Sequence, residues 1–247
     1  MRYFVDISYD GSSYHGWQIQ NNARTVQGVL NEALSTILRT DISSIGSGRT
    51  DTGVHAIMQM VHFDHEKEID ADQLMAKLNS LLPKDIAINH LMRVKESASA
   101  RFDAMSRGYV YKMHKHKSPF KEGQSYHFNQ SLDLEQMNLC CDLIKKWEDF
   151  EAMSKVKTEV NNFNCEIFNA NWEKHNDGTH FHVSANRFLR GMVRALVGTM
   201  LEVGQARMSI SDFQKVLESK DRKKAGRSVP AHGLYLRDIT YPKDIYL

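Results

Sequence analysis

Two kinds of apolar periodicity follow one another in a set order, and this order occurs twice along the 247-residue chain. Alternating apolar residues predict strands, and apolar residues three and four apart predict helices. The first half reads β-α-β-β-α-β and the second reads β-α-β-β-α-α-β. Two such units in one chain predict an α+β fold of two ferredoxin-like halves, each with its helices on one face of an antiparallel sheet.

The boundary between the halves is predicted near residues 99–106, which gives domains 1–103 and 104–247. In the first half we predict strand Arg2–Tyr9, a helix capped by Thr25, strands Ser43–Ser47 and Met58–Phe63, a helix capped by Asp70 and ended by Pro83, and strand Ile86–Val94. In the second half we predict strand Gly108–His114, a helix opening at Ser131, strands Ile167–Trp172 and His180–Ala185 around an Asp177-Gly178 turn, helix Phe188–Val203, a helix starting at Ser209 or Ser211, and strand Leu234–Tyr241.

Composition excludes several classes of protein but does not identify a binding partner. With 25% charged and 41% hydrophobic residues, the chain is neither disordered nor collagen-like. The net charge of +2 by itself indicates no polyanionic partner. Residues through Asp103 include 10 basic and 13 acidic side chains, however, and the remainder include 22 and 17. This asymmetry permits a polyanion on the C-terminal half.

The cysteines and the apolar segments predict the compartment. Three cysteines, two of them adjacent, provide no disulfide framework, which fits a reducing environment. The N-terminus carries a charge inside its first apolar run, and no apolar run approaches the length of a membrane span. We therefore predict a soluble cytoplasmic protein with no membrane partner.

The sharpest motif is the segment Gly48-Arg49-Thr50-Asp51-Thr52-Gly53-Val54-His55-Ala56. It places a carboxylate two residues from a guanidinium in a glycine-rich loop after a strand, where catalytic groups tend to lie. The alternative is a turn aspartate beside a solvated arginine. Asp51-Thr52-Gly53 also matches the aspartic-protease triplet, but that chemistry needs two such carboxylates, and the chain has no second D-[ST]-G.

Two further constellations lie in the second half. Arg187, Arg190 and Arg194 share one face of the predicted helix Phe188–Val203. Arg194 lies among apolar residues and needs an acidic partner, for which Asp51 is the candidate, whereas Arg187 fits a solvated face. In Arg107-Gly108-Tyr109-Val110-Tyr111 the two tyrosines share one strand face, either as a half-buried pair or as a ring that stacks on an unstacked base.

Two histidine pairs raise the question of a metal. His114 with His116, and His180 with His182, each place two imidazoles on one strand face. No C-x-x-C motif or other ligand pair with matching spacing completes either set, so we predict no metal site. Neither phosphate-binding glycine motif occurs, so we predict no nucleotide cofactor.

Over nearly its whole length the chain resembles the TruA family of tRNA pseudouridine synthases. The ordered matches are Tyr9-Asp10-Gly11 with Gly16-Trp17-Gln18, the Asp51 motif, Asn79 with Leu82-Pro83 and Asp85-Ile86, Ala100-Arg101-Phe102-Asp103-Ala104, Arg107-x-Tyr109-x-Tyr111, Asn186-x-Phe188 with Met192-Val193-Arg194, Gly198 through Gly204, and Ala231-x-Gly233-Leu234-Tyr235-Leu236. Departures at Ser47, Thr52 and Gly108 remove no functional group, whereas the role of Arg190 is less defined.

The resemblance implies two α/β halves flanking a central basic cleft, a homodimer, and no cofactor. It implies isomerisation of uridine to pseudouridine in the tRNA anticodon stem-loop, at positions 38, 39 and 40. Asp51 would be the catalytic nucleophile or base, held ionised by Arg194, and Tyr109 would stack on the flipped uracil. Arg49, Arg101 and Arg107 would bind substrate.

Surface charge and the fold class leave one alternative. Candidate phosphate contacts, each with a solvated-surface alternative, are Lys145, Lys146, Lys220, Arg222, Lys223, Lys224 and Arg227. Ferredoxin-like sheets also serve as non-catalytic RNA-binding modules. That alternative predicts RNA binding without isomerisation.

Overall fold

A computed structural model describes residues 1–156 and 162–247 of the chain. These residues form nine strands and five α-helices, a mixed fold that agrees with the predicted α+β class. They divide into two compact units, one formed by Met1–Ser106 with Tyr235–Leu247 and the other by Arg107–Leu234. None of the helices in the described ranges combines the length and the hydropathy that crossing a membrane requires.

The first unit is built on a sheet in which β1 lies between β3 and β4, antiparallel to both. Val5 in the middle of β1 pairs with Val61 on one side and Leu91 on the other, and it is fully buried. The strands are β1 Arg2–Tyr9, β2 Ile45–Gly46, β3 His55–Asp64 and β4 Ile86–Val94. The predicted limits of β1 and β4 are confirmed, whereas β3 begins three residues before the predicted Met58.

Two helices of the first unit begin at the predicted caps. Thr25 Oγ1 accepts the Gly28 N–H at 3.3 Å, and Asp70 Oδ1 accepts the Gln73 N–H at 3.0 Å. Each cap satisfies a backbone donor that has no partner within its helix. The helices are α1 Val26–Leu38 and α2 Ala71–Leu81.

The last strand joins the first unit, not the second. β9, Leu234–Thr240, pairs in parallel with β3 through His55 with Tyr235 and Ala56 with Leu236. The sequence placed residues 104–247 in one half. Residues 235–247 instead return to the first unit, because strand pairing depends on a partner about 180 residues away that local periodicity cannot identify.

The second unit contains an antiparallel sheet in which β8 lies between β5 and β7. The predicted hairpin is confirmed, but its two-residue turn is Asn176-Asp177, because Gly178 already pairs with His175. A two-residue strand that the sequence did not predict, β6, pairs with β5. The strands are β5 Ser106–His114, β6 Tyr126–His127, β7 Ile167–His175 and β8 Gly178–Ala185.

Three α-helices complete the described part of the second unit: α3 Leu134–Ile144, α4 Met192–Gly204 and α5 Ile210–Glu218. Ser209 caps α5 by accepting the Asp212 N–H at 3.1 Å, which decides between the two serines proposed from the sequence. The prediction that Ser131 opens α3 is wrong, because Asp133 accepts the Gln136 N–H at 3.1 Å and begins the helix there.

The arginine-bearing helix α4 is shorter than predicted. Gly191 precedes it with φ of 74°, in the left-handed region, so the residues before it do not continue the helix. Arg187 and Arg190 therefore do not share a helical face with Arg194, as the apolar spacing had suggested. Within α4 every residue is buried except Arg194 and Glu202, which are partly exposed.

All three cysteines lie in the core of the second unit. They are free thiols and are buried. Burial raises the pKa of Cys140 and Cys141 to about 12 and that of Cys165 to about 11. They are therefore structural, unreactive thiols.

A buried histidine in the first unit makes stability depend on pH. His62 Nδ1 accepts the Ala100 N–H at 3.0 Å, and burial, reinforced by Arg2, lowers the pKa of His62 below its ordinary value of 6.5. The unfolded chain therefore takes up this proton before the folded chain does. We expect the free energy of unfolding to fall as the pH drops below about 6.5, at up to about 1.4 kcal/mol per pH unit for this group.

Urea unfolding at pH 7, 6 and 5 measures this dependence. His62→Asn keeps an acceptor for Ala100 and cannot titrate, so its unfolding free energy should depend less on pH than that of the wild type. Some dependence should remain, because burial also lowers the pKa of His114, and lowers that of His180 to about 4. Equal slopes for the variant and the wild type would contradict the assignment to His62.

Candidate active site

A buried glutamine holds the beginning of the segment that carries Asp51. Ser47 Oγ donates to Gln59 Oε1 at 2.8 Å, and Gln59 Nε2 donates to the Gly48 carbonyl at 2.9 Å. Gln59 lies on β3 and is fully buried. Because both ends of its amide are used in a low-dielectric environment, the path of the chain after β2 is fixed.

Hydrogen bonds also fix the backbone on either side of Asp51. Thr50 Oγ1 lies 2.9 Å from the Tyr9 hydroxyl, and the Thr50 carbonyl accepts the Trp17 N–H at 3.3 Å. After Asp51, the Val54 N–H donates to the Asp51 carbonyl at 3.1 Å and closes a turn. The Asp51 side chain is partly exposed, so a carboxylate is presented on a fixed backbone.

Two glycines allow the backbone of residues 10–17 to contact the backbone of this loop directly. Gly16 has φ of 86°, and a Cβ there would overlap the Thr50 carbonyl oxygen and lie 3.1 Å from the carbonyl carbon of Asp51. A Cβ at Gly11 would overlap the carbonyl oxygen of Val54 in the same way. The approach is therefore backbone to backbone, which no residue with a side chain permits.

His55 connects the end of the loop to residues 10–11 and to β9. Its Nδ1 lies 3.1 Å from the Gly11 nitrogen and 3.1 Å from an Asp10 carboxylate oxygen. Its ring stacks on Tyr235 with centroids 4.5 Å apart, and it is 2% exposed. Because the ring is buried and held by these contacts, it positions the end of the loop and is not presented to a substrate.

The two arginines predicted in the first unit are both on its surface. Arg49 is exposed, two residues before Asp51. Arg101 is exposed in a separate turn, with its guanidinium 5.4 Å from the ring centre of Phe102, which is itself 80% exposed. An exposed arginine stacked on an exposed ring is suited to contacting a nucleic acid.

The two tyrosines predicted on one strand face have different environments. Tyr111 is fully buried, and its hydroxyl donates to the Pro230 carbonyl at 2.9 Å. Burial raises the pKa of Tyr111 well above its ordinary value. Tyr109 is partly exposed, and its ring meets Phe188 edge-on at 5.1 Å. Of the pair, Tyr109 is therefore the one that can receive a base.

The predicted arginines of the second unit anchor neighbouring backbone. Arg107 Nη1 donates to the Asn186 carbonyl at 2.9 Å. Arg194 Nε donates to the Val229 carbonyl at 2.7 Å, while the Val229 N–H donates to the Arg194 carbonyl at 3.2 Å. This reciprocal pair joins α4 to the segment before β9 and fixes the orientation of the Arg194 guanidinium.

One candidate phosphate contact has a structural role instead. Arg222 donates to the Gly226 carbonyl at 3.0 Å and to Ser228 Oγ at 2.8 Å, and burial lowers its pKa. Two of the candidate lysines form ion pairs, Lys145 with Asp142 and Lys220 with Asp149. The remaining exposed candidates are Lys146, Lys223, Lys224 and Arg227.

The sequence did not reveal the role of the residues that hold the Asp51 loop, which are Tyr9, Gly11, Gly16, His55 and Gln59. Four of them occur in the family motifs, but a motif does not show which backbone a glycine touches. The loop and its supports lie in the first unit, as do Arg49 and Arg101, whereas Arg107, Tyr109 and Arg194 lie in the second.

The first unit therefore presents a partly exposed carboxylate on a loop whose backbone is fixed, which is suited to act as a nucleophile or a base. The sequence model of one family, described as tRNA pseudouridine synthase, matches residues 7–103 and 147–242. The chain belongs to this family, whose members are isomerases.

Similarity to individual proteins extends over almost the whole chain. It is 47% identical over 246 residues to tRNA pseudouridine synthase A of Parabacteroides distasonis, covering 99% of this chain and 98% of that protein. It is 44% identical over 250 residues to the enzyme of the same name from Porphyromonas gingivalis, covering 100% and 99%. With the Bacillus subtilis enzyme of that name the identity is 37% over 245 residues, covering 98% and 99%.

Proposed function

We propose that this enzyme converts uridine to pseudouridine at positions 38, 39 and 40 of the tRNA anticodon stem-loop. The observation that most supports this proposal is the Asp51 carboxylate, which is partly exposed on a loop whose backbone is fixed on both sides. The family membership supports tRNA as the substrate, and the resemblance to TruA supports the stem-loop positions. The proposed architecture is two ferredoxin-like halves flanking a basic cleft, with domains near 1–103 and 104–247 apart from the returning last strand.

The reaction breaks the bond between N1 and C1′, rotates the base, and joins C5 to C1′. The C5 proton is then lost and N1 gains one, so no oxidant or reductant is needed, and the family resemblance implies no cofactor. Asp51 would act as the nucleophile or base in each of three routes: attack at C1′, attack at the base, or removal of the C2′ proton to give a glycal. Each route needs an ionised carboxylate.

Arg194 is proposed as the partner that keeps Asp51 ionised. Its Nε is committed to Val229, which fixes the plane of the guanidinium. A guanidinium held in a fixed orientation beside a carboxylate favours the ionised form and directs the carboxylate oxygens. Arg49 would assist flipping of the target uridine, and Arg101 and Arg107 would contact RNA.

Tyr109 is proposed to stack on the flipped uracil and to assist removal of the C5 proton. We expect Tyr109→Ala to weaken binding of the stem-loop by about 1–3 kcal/mol through lost stacking. Tyr109→Phe should retain affinity but lower the single-turnover rate by about 100-fold if the hydroxyl moves the proton. Fluorescence anisotropy and quenched-flow kinetics measure the two quantities.

Tyr111→Phe is the matched control for both tyrosine variants. It removes a hydroxyl two residues along the same strand, from a ring that is buried and bonded to Pro230. It should change stability but neither affinity nor rate. Wild-type affinity for Tyr109→Ala would contradict the stacking role, and a wild-type rate for Tyr109→Phe would contradict the proton role.

Release of tritium from [5-³H]uridine in an anticodon stem-loop tests the proposed function directly. Isomerisation must release the C5 hydrogen, whereas a protein that only binds RNA releases none. Binding without release would overturn the proposal in favour of the RNA-binding module.

We further propose a cytoplasmic homodimer. The free, buried cysteines support a reducing compartment, and the family resemblance supports the homodimer.

A further inference from the structure

A second cluster of chemically active side chains lies on the β7–β8 hairpin. Glu173, His180 and His182 each offer one ligand atom, and these three atoms all lie within 4.8 Å of one another. His182 Nε2 is already 2.9 Å from Glu173 Oε1. The sequence predicted no metal site, because no C-x-x-C motif or other ligand pair with matching spacing completes the histidine pairs.

The third ligand comes from the neighbouring strand. Glu173 on β7 is the direct register partner of His180 on β8, and His182 follows two residues later on the same face. Phe181 and Val183, which alternate with the histidines, are buried on the opposite face. Strand register therefore assembles a three-ligand set that linear spacing does not reveal.

The cluster lies on the sheet face opposite the one that carries Tyr109. Tyr109 pairs with Val183, so these two side chains share a face, whereas Val110 pairs with His182 on the other. A ligand bound at the cluster would be separated from the tyrosine by the thickness of the sheet. The cluster is therefore distinct from the residues proposed to handle uridine.

The exposure of the cluster and the packing around His180 suit a small ion, and one neighbouring charge opposes it. The His182 side chain is 16% exposed and that of Glu173 is 52% exposed, so the imidazole is sheltered while the carboxylate opens to solvent. His175 stacks on His180 with centroids 4.2 Å apart and limits its rotation. Lys112 is the register partner of His180 on β5, and its charge would reduce affinity for a cation.

We propose that Glu173, His180 and His182 bind one divalent transition-metal ion, with Zn²⁺ the best match. Two imidazoles and one carboxylate with a fourth position open to solvent form a known zinc ligand set. Bonds of about 2.1 Å in a tetrahedral site place ligand atoms about 3.4 Å apart, within the reach of small rotamer changes. The ion would join β7 to β8 and stabilise the hairpin.

The test uses the full chain without a polyhistidine tag, freed of metal by chelator and titrated with ZnCl₂ by calorimetry. One ion should bind per chain, and thermal unfolding should shift to higher temperature with added Zn²⁺. Glu173→Gln, which keeps the side-chain shape, should lower affinity at least tenfold. A His180→Asn, His182→Asn double variant should abolish the stoichiometric phase.

His116→Asn is the control, because His116 is an exposed histidine outside the cluster. It should bind Zn²⁺ as the wild type does. Co²⁺ provides a second readout, since a visible spectrum of a four-coordinate ion should appear in the wild type and His116→Asn but not in the double variant. Binding that is not stoichiometric, or that survives the double variant, would overturn the proposal. Unfolding measured without metal confirms that each variant is folded.

Discussion

Asp51→Asn is expected to lower pseudouridine formation by at least about 10³-fold. The substitution keeps the size of the side chain and removes its charge, so it can act neither as a nucleophile nor as a base. The loop should keep its path, because Gln59 and Trp17 hold its backbone carbonyls and Tyr9 holds the Thr50 side chain, whatever the Asp51 side chain does. Binding of tRNA should therefore stay within a few-fold of the wild type.

Tritium release under single-turnover conditions and filter binding at constant salt separate the two effects. Asp41→Asn is the matched control, since it removes the same charge from an exposed position before β2 and should leave the rate unchanged. A single-turnover rate for Asp51→Asn close to that of the wild type would contradict the catalytic assignment. A parallel loss of rate and affinity would instead make Asp51 a binding residue.

The second large effect is expected from Gly16→Ala, which touches no predicted substrate group. Alanine at φ of 86° costs about 1–3 kcal/mol, and its Cβ would overlap the carbonyl oxygen of Thr50. The loop must then move away, and Asp51 with it. Because misplacement by about 1 Å can cost about 100-fold in rate, we expect a loss of that order or more in the chemical step.

Gly48→Ala is the control for Gly16→Ala. A Cβ at Gly48 would meet no atom within 4 Å, although it lies on the same loop. Its rate and its free energy of unfolding should stay near the wild-type values. Quenched-flow kinetics and urea unfolding measure both quantities, and similar losses in the two variants would contradict the bracing role of Gly16.

Elements set by neighbouring residues were predictable. The alternation in Arg2–Tyr9 and the caps at Thr25 and Asp70 depend on residues that are close in the sequence. The structure confirms all three. The start of α4 was not predictable, because the apolar spacing continues through Leu189 whereas the backbone at Gly191 has a left-handed conformation. A hydrophobic pattern reports which side chains are buried and does not report φ.

The site residues also fall into a group that the sequence could predict and a group that it could not. The motif around Asp51 could be found from the sequence because its residue types are unusual in combination. The roles of Gly11, Gly16 and Gln59 could not, since each acts on backbone about 11 to 43 residues away. The pairing of Arg194 with Asp51 stays a prediction, and its anchoring to Val229 came from the structure.

By itself the sequence determined the order of strands and helices apart from β6, the family, and the side chains suited to the chemistry, because these depend on residue types and on spacing along the chain. Only the tertiary structure decided that β9 returns to β3, that Gly16 presses on Thr50, and that Glu173 faces His180. Each of these depends on strand register or on contact between distant backbones, and cross-strand neighbours have no fixed separation in sequence.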